Sequence, residues 1–174
     1  DCYLKLMEAA KYIDRFTIED INVARRLNEE AISMCPENPV GYALLGQVYM
    51  QDAILGNTKF PRETLAKGEE LVRKALSIDD SLPIAHFLLT GFYLARREHD
   101  KAIAEGERAV ALDPGGSYAY FQYGSALLFA CRPQEALPIL QKAVRLNPNA
   151  EAYNLLFFAN ALSTTGRLEE AISV

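Results

Sequence analysis

Few side chains in this sequence could do chemistry, and their spacing works against it. Histidines serve as general bases or metal ligands, and the chain has two, His86 and His99. Neither has a carboxylate or cysteine at triad or ligand spacing. His86 falls on an apolar helical position and reads as a packed spacer; His99 lies near a turn and reads as solvated. Cys2, Cys35 and Cys131 sit far apart, without a CxxC pair. An odd count at such spacing argues against a disulfide framework or a zinc site, so they read as three small, buried or half-buried thiols. The pairs Glu69–Glu70 and Glu169–Glu170 have the composition of an acid–base couple but read as solvated helix charges. Two glycines in Pro114–Ser117 are too few for a phosphate cradle and mark a helix stop. Nucleophile-elbow, P-loop, dinucleotide and metal motifs are absent. The expectation is a non-enzyme with no catalytic residue, no metal and no cofactor.

The composition narrows the partners. The 174 residues are half hydrophobic and carry a net charge of -5, with no long run of one sign. Nucleic acid and anionic membrane surfaces are therefore not the expected partners. No apolar stretch reaches the ~18 residues that a bilayer span needs. No secretory leader is visible, and the sequence reads as cytoplasmic.

The organisation of the chain lies in a repeated phrase. Ala109–Pro114 (AVALDP) returns as Ala143–Pro148 (AVRLNP), with weaker copies at Ala31–Pro36 and Ala75–Asp80. The four alanines are separated by 44, 34 and 34 residues. Self-similarity at this period marks stacked supersecondary units. Each unit is helical twice. Tyr42–Tyr49, His86–Tyr93, Tyr120–Leu127 and Leu155–Leu162 share large-x-x-large-small-x-x-large spacing, one face of a helix. Lys101–Leu112 and Glu135–Leu146 give second amphipathic helices, which Pro114 and Pro148 end. Small residues recur where the helices of a pair must meet: Gly46, Gly124 and Ala159 on first helices, Ala102, Ala136 and Ala171 on second ones.

These residues resemble the tetratricopeptide repeat family. Its pattern is carried by Tyr42, Leu45, Gly46 and Tyr49; by His86, Leu89, Tyr93, Ala102, Ala109 and Pro114; and by Tyr120, Tyr123, Gly124, Leu127, Ala136, Ala143 and Pro148. The resemblance implies an all-α, right-handed superhelical solenoid of stacked antiparallel helix pairs. First helices would line its concave side. The family's carboxylate clamp for chaperone tails needs cations in that groove. The matching places here hold Ala43, Leu44, Gln47, Ile84 and Leu88, none of them cationic. Asp14–Ile32, the insertion described below and Tyr93–Pro114 are also loosely similar to the repeat arrays that follow the catalytic domain in some bacterial class III nucleotide cyclases. That implies a regulatory or scaffolding role in a larger signalling enzyme.

A single repeat domain over 1–174 divides at about 1–38, 39–82, 83–116, 117–151 and 152–174. The second helix of the first unit opens on Thr17–Asp20, a variant capping box. The second unit has ten extra residues near Ala53–Arg62, read as a longer first helix plus a surface loop, with a turn at Gly56-Asn57 and a helix start at Pro61. Pro138 falls inside a second helix and is expected to bend it slightly. The last unit stops mid-helix, as in a fragment of a longer protein.

Charge supplies the functional expectation. Asn38–Gln51, Ser81–Ala95, Gly115–Cys131 and Ala152–Gly166 carry no charged residue. These are the first helices of units two to five, while the charges lie on second helices and turns. Periodicity assigns the groove face to Ile84, Phe87, Gly91, Leu94, Tyr118, Phe121, Ser125, Phe129, Tyr153, Leu156 and Asn160, with Val40, Ala43 and Gln47 as weaker equivalents. Tyr118, Phe121 and Tyr153 are expected to be exposed, giving an aromatic, uncharged groove for a protein or peptide with an apolar segment. Self-association into a homo-oligomer through the same surfaces is the rival use.

Overall fold

The computed structural model describes residues 1–149 and 152–173, with side chains for 1–149 and 154–173. Among the described residues it contains ten α-helices and no strand: α1 (Cys2–Ile13), α2 (Ile18–Met34), α3 (Pro39–Leu55), α4 (Pro61–Ile78), α5 (Pro83–Ala95), α6 (His99–Leu112), α7 (Ser117–Phe129), α8 (Pro133–Leu146), α9 (Ala152–Thr164) and α10 (Leu168–Ile172). The sequence reading treats the chain as one domain. The structure divides it into two compact units, Asp1–Leu88 and Leu89–Val174, with the boundary inside α5.

The repeated alanine phrase has a structural cause. The backbone N–H groups of Cys35, Asp79, Asp113 and Asn147 donate to the carbonyls of Ala31, Ala75, Ala109 and Ala143 at 2.9, 3.0, 3.0 and 3.0 Å. Each second helix thus closes on the same bond. All four alanines are buried, because a larger side chain there would hold the helices apart. At two of these ends the C-cap side chain folds back: Asp79 Oδ1 accepts from the Ser81 amide at 2.9 Å and its hydroxyl at 2.7 Å, and Asp113 Oδ1 accepts from the Gly115 amide at 3.2 Å. The Ser81 bonds hold the Asp79 carboxyl below the usual range.

The two helices of a pair approach most closely at glycine. A Cβ on Gly46 of α3 would stand 2.5 Å from Val72 Cγ2 and 2.8 Å from the Gly68 carbonyl of α4. On Gly124 of α7 it would stand 2.5 Å from Leu140 of α8. Ala102, Ala136 and Val72 are fully buried along the same seams. The counterparts in the last pair, Ala159 and Ala171, are only half-buried, since α10 is five residues long.

Turns within pairs repeat as well. In the turns after α5, α7 and α9 the middle residue is left-handed: Arg97 (φ 60°), Cys131 (φ 59°) and Gly166 (φ 84°). The next amide donates to a carbonyl one turn back: Glu98 to Tyr93 and Arg132 to Leu127 at 2.9 Å, Arg167 to Leu162 at 2.8 Å. That residue is clasped to the third residue of the following helix, through Glu98–Lys101, Arg132–Glu135 and Arg167–Glu170. The clasp holds the Glu135 and Glu170 carboxyls below their ordinary range, through the hydrogen bonds from Arg132 and Arg167. Gly166 meets the left-handed demand at no steric cost; Arg97 and Cys131 do not.

The ten-residue insertion divides evenly. α3 has 17 residues against 13 for α5 and α7, and α4 has 18 against 14 for α6 and α8. Four residues lengthen each helix and two widen the turn. Gly56 ends α3 in the left-handed region and Pro61 opens α4, as the sequence predicts. Thr17 caps α2 by accepting from the Asp20 amide at 3.2 Å, and the Asp20 carboxylate accepts from the Thr17 hydroxyl at 2.8 Å rather than from its backbone amide. α8 continues through Pro138.

Two expectations are overturned in the first unit. Cys2 and Cys35 form a disulfide. The helical turn from α1 to α2 brings positions 33 apart to a Cα separation of 6.3 Å, which spacing alone could not show. Only Cys131 is a free thiol, and it is exposed rather than buried. Closing a loop of that length is worth about 3–4 kcal/mol in the chain-entropy account. Glu69 is the second correction. It is buried and accepts from Arg73 Nε and Nη2 at 3.0 and 2.9 Å, while Glu70 stays exposed.

Two substitutions should move stability in opposite directions. Gly46→Ala forces the α3–α4 seam apart and is expected to cost about 1–3 kcal/mol. Arg97→Gly relieves the left-handed turn and is expected to add up to about 1 kcal/mol after the flexibility of glycine is counted. Urea unfolding midpoints read both.

Candidate functional site

The surface expected to bind is built on first helices, so the second helices must supply most of its cations. They do so by leaning cations over the tyrosines of the first helices. In α3 and α7 the tyrosine four residues before the close-packed glycine is covered by the lysine just before the closing alanine: Lys74 over Tyr42 at 6.0 Å and Lys142 over Tyr120 at 5.6 Å. The tyrosine three residues after the small position meets a lysine in the N-terminal half of the second helix: Lys67 over Tyr49 at 4.9 Å and Lys101 over Tyr93 at 5.6 Å. Where that tyrosine becomes Leu127, the lysine position becomes Glu135. Each exposed contact of this kind is worth about 0.5–1 kcal/mol. The cations are thereby committed to rings on the second-helix side.

In the first unit a buried polar set adds to this pattern. Asp52, nearly inaccessible, is paired with Arg25 and accepts from Asn57 Nδ2 at 2.8 Å. Arg25 also covers Tyr49 at 4.7 Å. Gln51 Nε2 donates to the Ile13 carbonyl at 3.2 Å and so ties the end of α1 to α3. Sequence reading missed this set, although Asp52 directly follows an uncharged run of fourteen residues, Asn38–Gln51. A charge placed there is the one signal that could have revealed it.

The expected groove residues divide into three groups. Tyr118 (53 %), Phe129 (54 %) and Leu156 (66 %) are exposed, and so is Asn160. Ile84, Phe87, Gly91 and Leu94 are half-buried, Ile84 against the core of the first unit. Phe121 and Ser125 are buried at 2 % each, which corrects the expectation that Phe121 lines an open surface. The reason is packing: α6, α8 and α9 all lie against α7 within the second unit. Leu156 and Asn160 hold the corresponding positions of α9 and stay open because no described helix packs beyond them. Tyr153 falls outside the described side chains. Among the weaker equivalents, Ala43 is buried and Val40 and Gln47 are half-buried.

Phe129 connects this face to the turn before α6. Its ring meets Phe157 edge-on at 6.1 Å and stacks on His99 at 6.5 Å and 14°. His99 is thus half-buried rather than solvated, and its Nδ1 is buried without a hydrogen-bond partner. Beside it, Arg97, Glu98, Asp100, Lys101 and Ala130 line an open recess of balanced charge. His86 behaves as the packed spacer expected, buried with Nε2 2.9 Å from the Asp80 carbonyl oxygen. Among the described residues no three His, Cys, Asp or Glu side chains cluster to hold a metal ion, and no helix is long and apolar enough to cross a membrane.

The split between core and face can be measured. Phe121→Ala is expected to cost about 3–5 kcal/mol. Tyr118→Ala and Phe129→Ala are expected to cost about 1 kcal/mol or less each. Chemical denaturation of the three variants separates the two classes.

Residues 93–156 match the family described as Tetratricopeptide repeat. The chain is 28% identical over 96 residues to the small glutamine-rich tetratricopeptide repeat-containing protein 2 of Mycosarcoma maydis, an alignment covering 55% of this chain and 27% of that protein. The chain therefore spans about a quarter of the length of this curated relative. PilF of Pseudomonas aeruginosa superposes with a TM-score of 0.75 at 20% identity, over 99% of this chain and 72% of that one. YrrB, described as a TPR protein with an unusual peptide-binding site, superposes with a TM-score of 0.64 at 24% identity, over 84% and 70%. Nothing in these likenesses points to a nucleotide cyclase. The tetratricopeptide repeat is supported over residues 93–156 by the family match, and the all-α solenoid of stacked helix pairs by its structural neighbours.

Proposed function

We propose that this chain is a non-catalytic protein–protein interaction scaffold whose second unit holds a neutral, apolar peptide segment against α7 and α9. The observation that carries the reading is the pairing of exposed Tyr118, Phe129 and Leu156 with helices that bear no charge between Gly115 and Cys131 or between Ala152 and Gly166. A charged partner residue laid on such a surface would lose water and gain no counter-ion, so neutral segments are favoured. Tyrosine and phenylalanine offer large contact area at low entropic cost. Asn160 and half-buried Gln122 and Asn154 add hydrogen-bonding capacity between the rings. Peptide binding by a structural neighbour of the same fold, YrrB, supports the class of ligand.

A second reading has its own observation. Leu156, Leu168 (59 %) and Ile172 (87 %) leave the α9–α10 side apolar and open, and a second copy of the chain could cover it. Sedimentation velocity over a range of concentrations tests this: Leu156→Glu/Ile172→Glu would abolish any concentration-dependent dimer, and a strict monomer throughout rejects the reading.

For peptide binding, selection from a displayed library of uncharged peptides followed by calorimetry is the direct test. The expected Kd is on the order of micromolar. Tyr118→Ala/Phe129→Ala should weaken binding at least about tenfold with little change in unfolding midpoint, while Lys142→Ala on the second-helix side leaves it intact. Binding that survives the double substitution but fails with Lys142→Ala overturns the assignment.

A further inference from the structure

We infer that the Cys2–Cys35 bond is a redox-operated latch on α1, whose reduction frees that helix and uncovers the uncharged face of α3 beneath it.

Cys35 occupies the C-cap position of a second helix, where the other units hold Asp79, Asp113 and Asn147. The side chains of Asp79 and Asp113 bond locally to their own turns. In the first unit this position instead reaches across to the first residue of α1. Cys2 and Cys35 are both half-buried rather than sealed in the core, so a small thiol reaches them.

Apart from the disulfide, α1 is held by its packing on α2 and α3 and by two polar contacts. Leu6, Ala9 and Ile13 are its buried residues, while Tyr3, Leu4 and Met7 face outward at 61, 63 and 47 %. Lys5 reaches Glu30 of α2 at 2.5 Å, a contact that lowers the Glu30 carboxyl. At the other end, Gln51 holds the Ile13 carbonyl. Beneath α1 lie Gly41, Leu44, Leu45 and Val48 of α3, all buried. This face carries no charge. α1 covers α3 as α9 covers α7, but through one helix fixed by a bond that a reductant can cut.

The step balances simply. A dithiol reductant supplies two electrons and two protons; the Cys2–Cys35 S–S bond breaks to two thiols, and the reductant becomes a cyclic disulfide. In a reducing cytosol such bonds are typically transient and regulatory, whereas in an oxidising compartment the latch stays closed. The bond is a switch where a dithiol reductant is present and a permanent brace where none is.

Hydrogen exchange on the intact chain, with and without dithiothreitol, tests the inference, with Cys131→Ser as background to exclude the free thiol. Oxidised protein should be two mass units lighter than reduced. Amides of α1 should exchange at least about tenfold faster after reduction, with α2–α4 and α7–α8 unchanged. Cys2→Ser/Cys35→Ser should match the reduced protein and ignore dithiothreitol. Equal protection of α1 in both forms overturns the latch, as does concerted loss of protection across α1–α4, which would make the bond a brace for the whole unit. A mass showing no disulfide in the air-oxidised protein overturns it as well.

Discussion

The approach of paired helices to the point where Gly46 or Gly124 meets the facing backbone and side chains governs everything else here. Two helices that close leave no room for a side chain on the glycine at the point of contact. The seam therefore fills with alanine, glycine and aliphatic side chains, and most ionic residues stand away from it on the second helix. The first helices α5, α7 and α9, covered from behind, carry no charge, and α3 carries one, Asp52, sealed by Arg25. The uncharged runs of the sequence and the exposed rings of α7 follow from that one steric condition.

The cation-covered tyrosines express the same constraint. A lysine on a second helix cannot enter the seam, but its stem can lie along the pair and bring the ammonium over a ring. Tyr42, Tyr49, Tyr93 and Tyr120 are all covered this way. The exchange of tyrosine and lysine for Leu127 and Glu135 shows the contact behaving as a pair: without the ring, the cation has nothing to cover.

Helix identity, pairing and the close-packed positions were legible in the sequence because they repeat, and repetition turns a weak local pattern into a strong one. Thus Ala109 and Ala143 announced the helix ends, and Gly46 and Gly124 the seams. What did not repeat was illegible. Cys2 and Cys35 come together only through the geometry of one hairpin. Asp52, Arg25 and Gln51 form a single buried set with no copy elsewhere. Phe121 was misread for a different reason. Periodicity identifies the face of a helix, but not which neighbour covers it, and the helices packed on α7 take the place that a ligand was expected to fill. His99 was misread similarly, since its contact with Phe129 crosses from one helix pair to the next.

The lengthened α3–α4 pair has an implication for how such a chain can vary. Four residues turn a helix through about 400°, so each added segment returns its side chains to within about 40° of their former bearing and raises the tip by about 6 Å. Adding the same number to both partners keeps Gly46 opposite Gly68 and Val72. An insertion of one or two residues in only one of them would rotate every later side chain away from its counterpart. Length in this architecture is thus quantised and bilateral, and unpaired insertions and deletions should be confined to the turns.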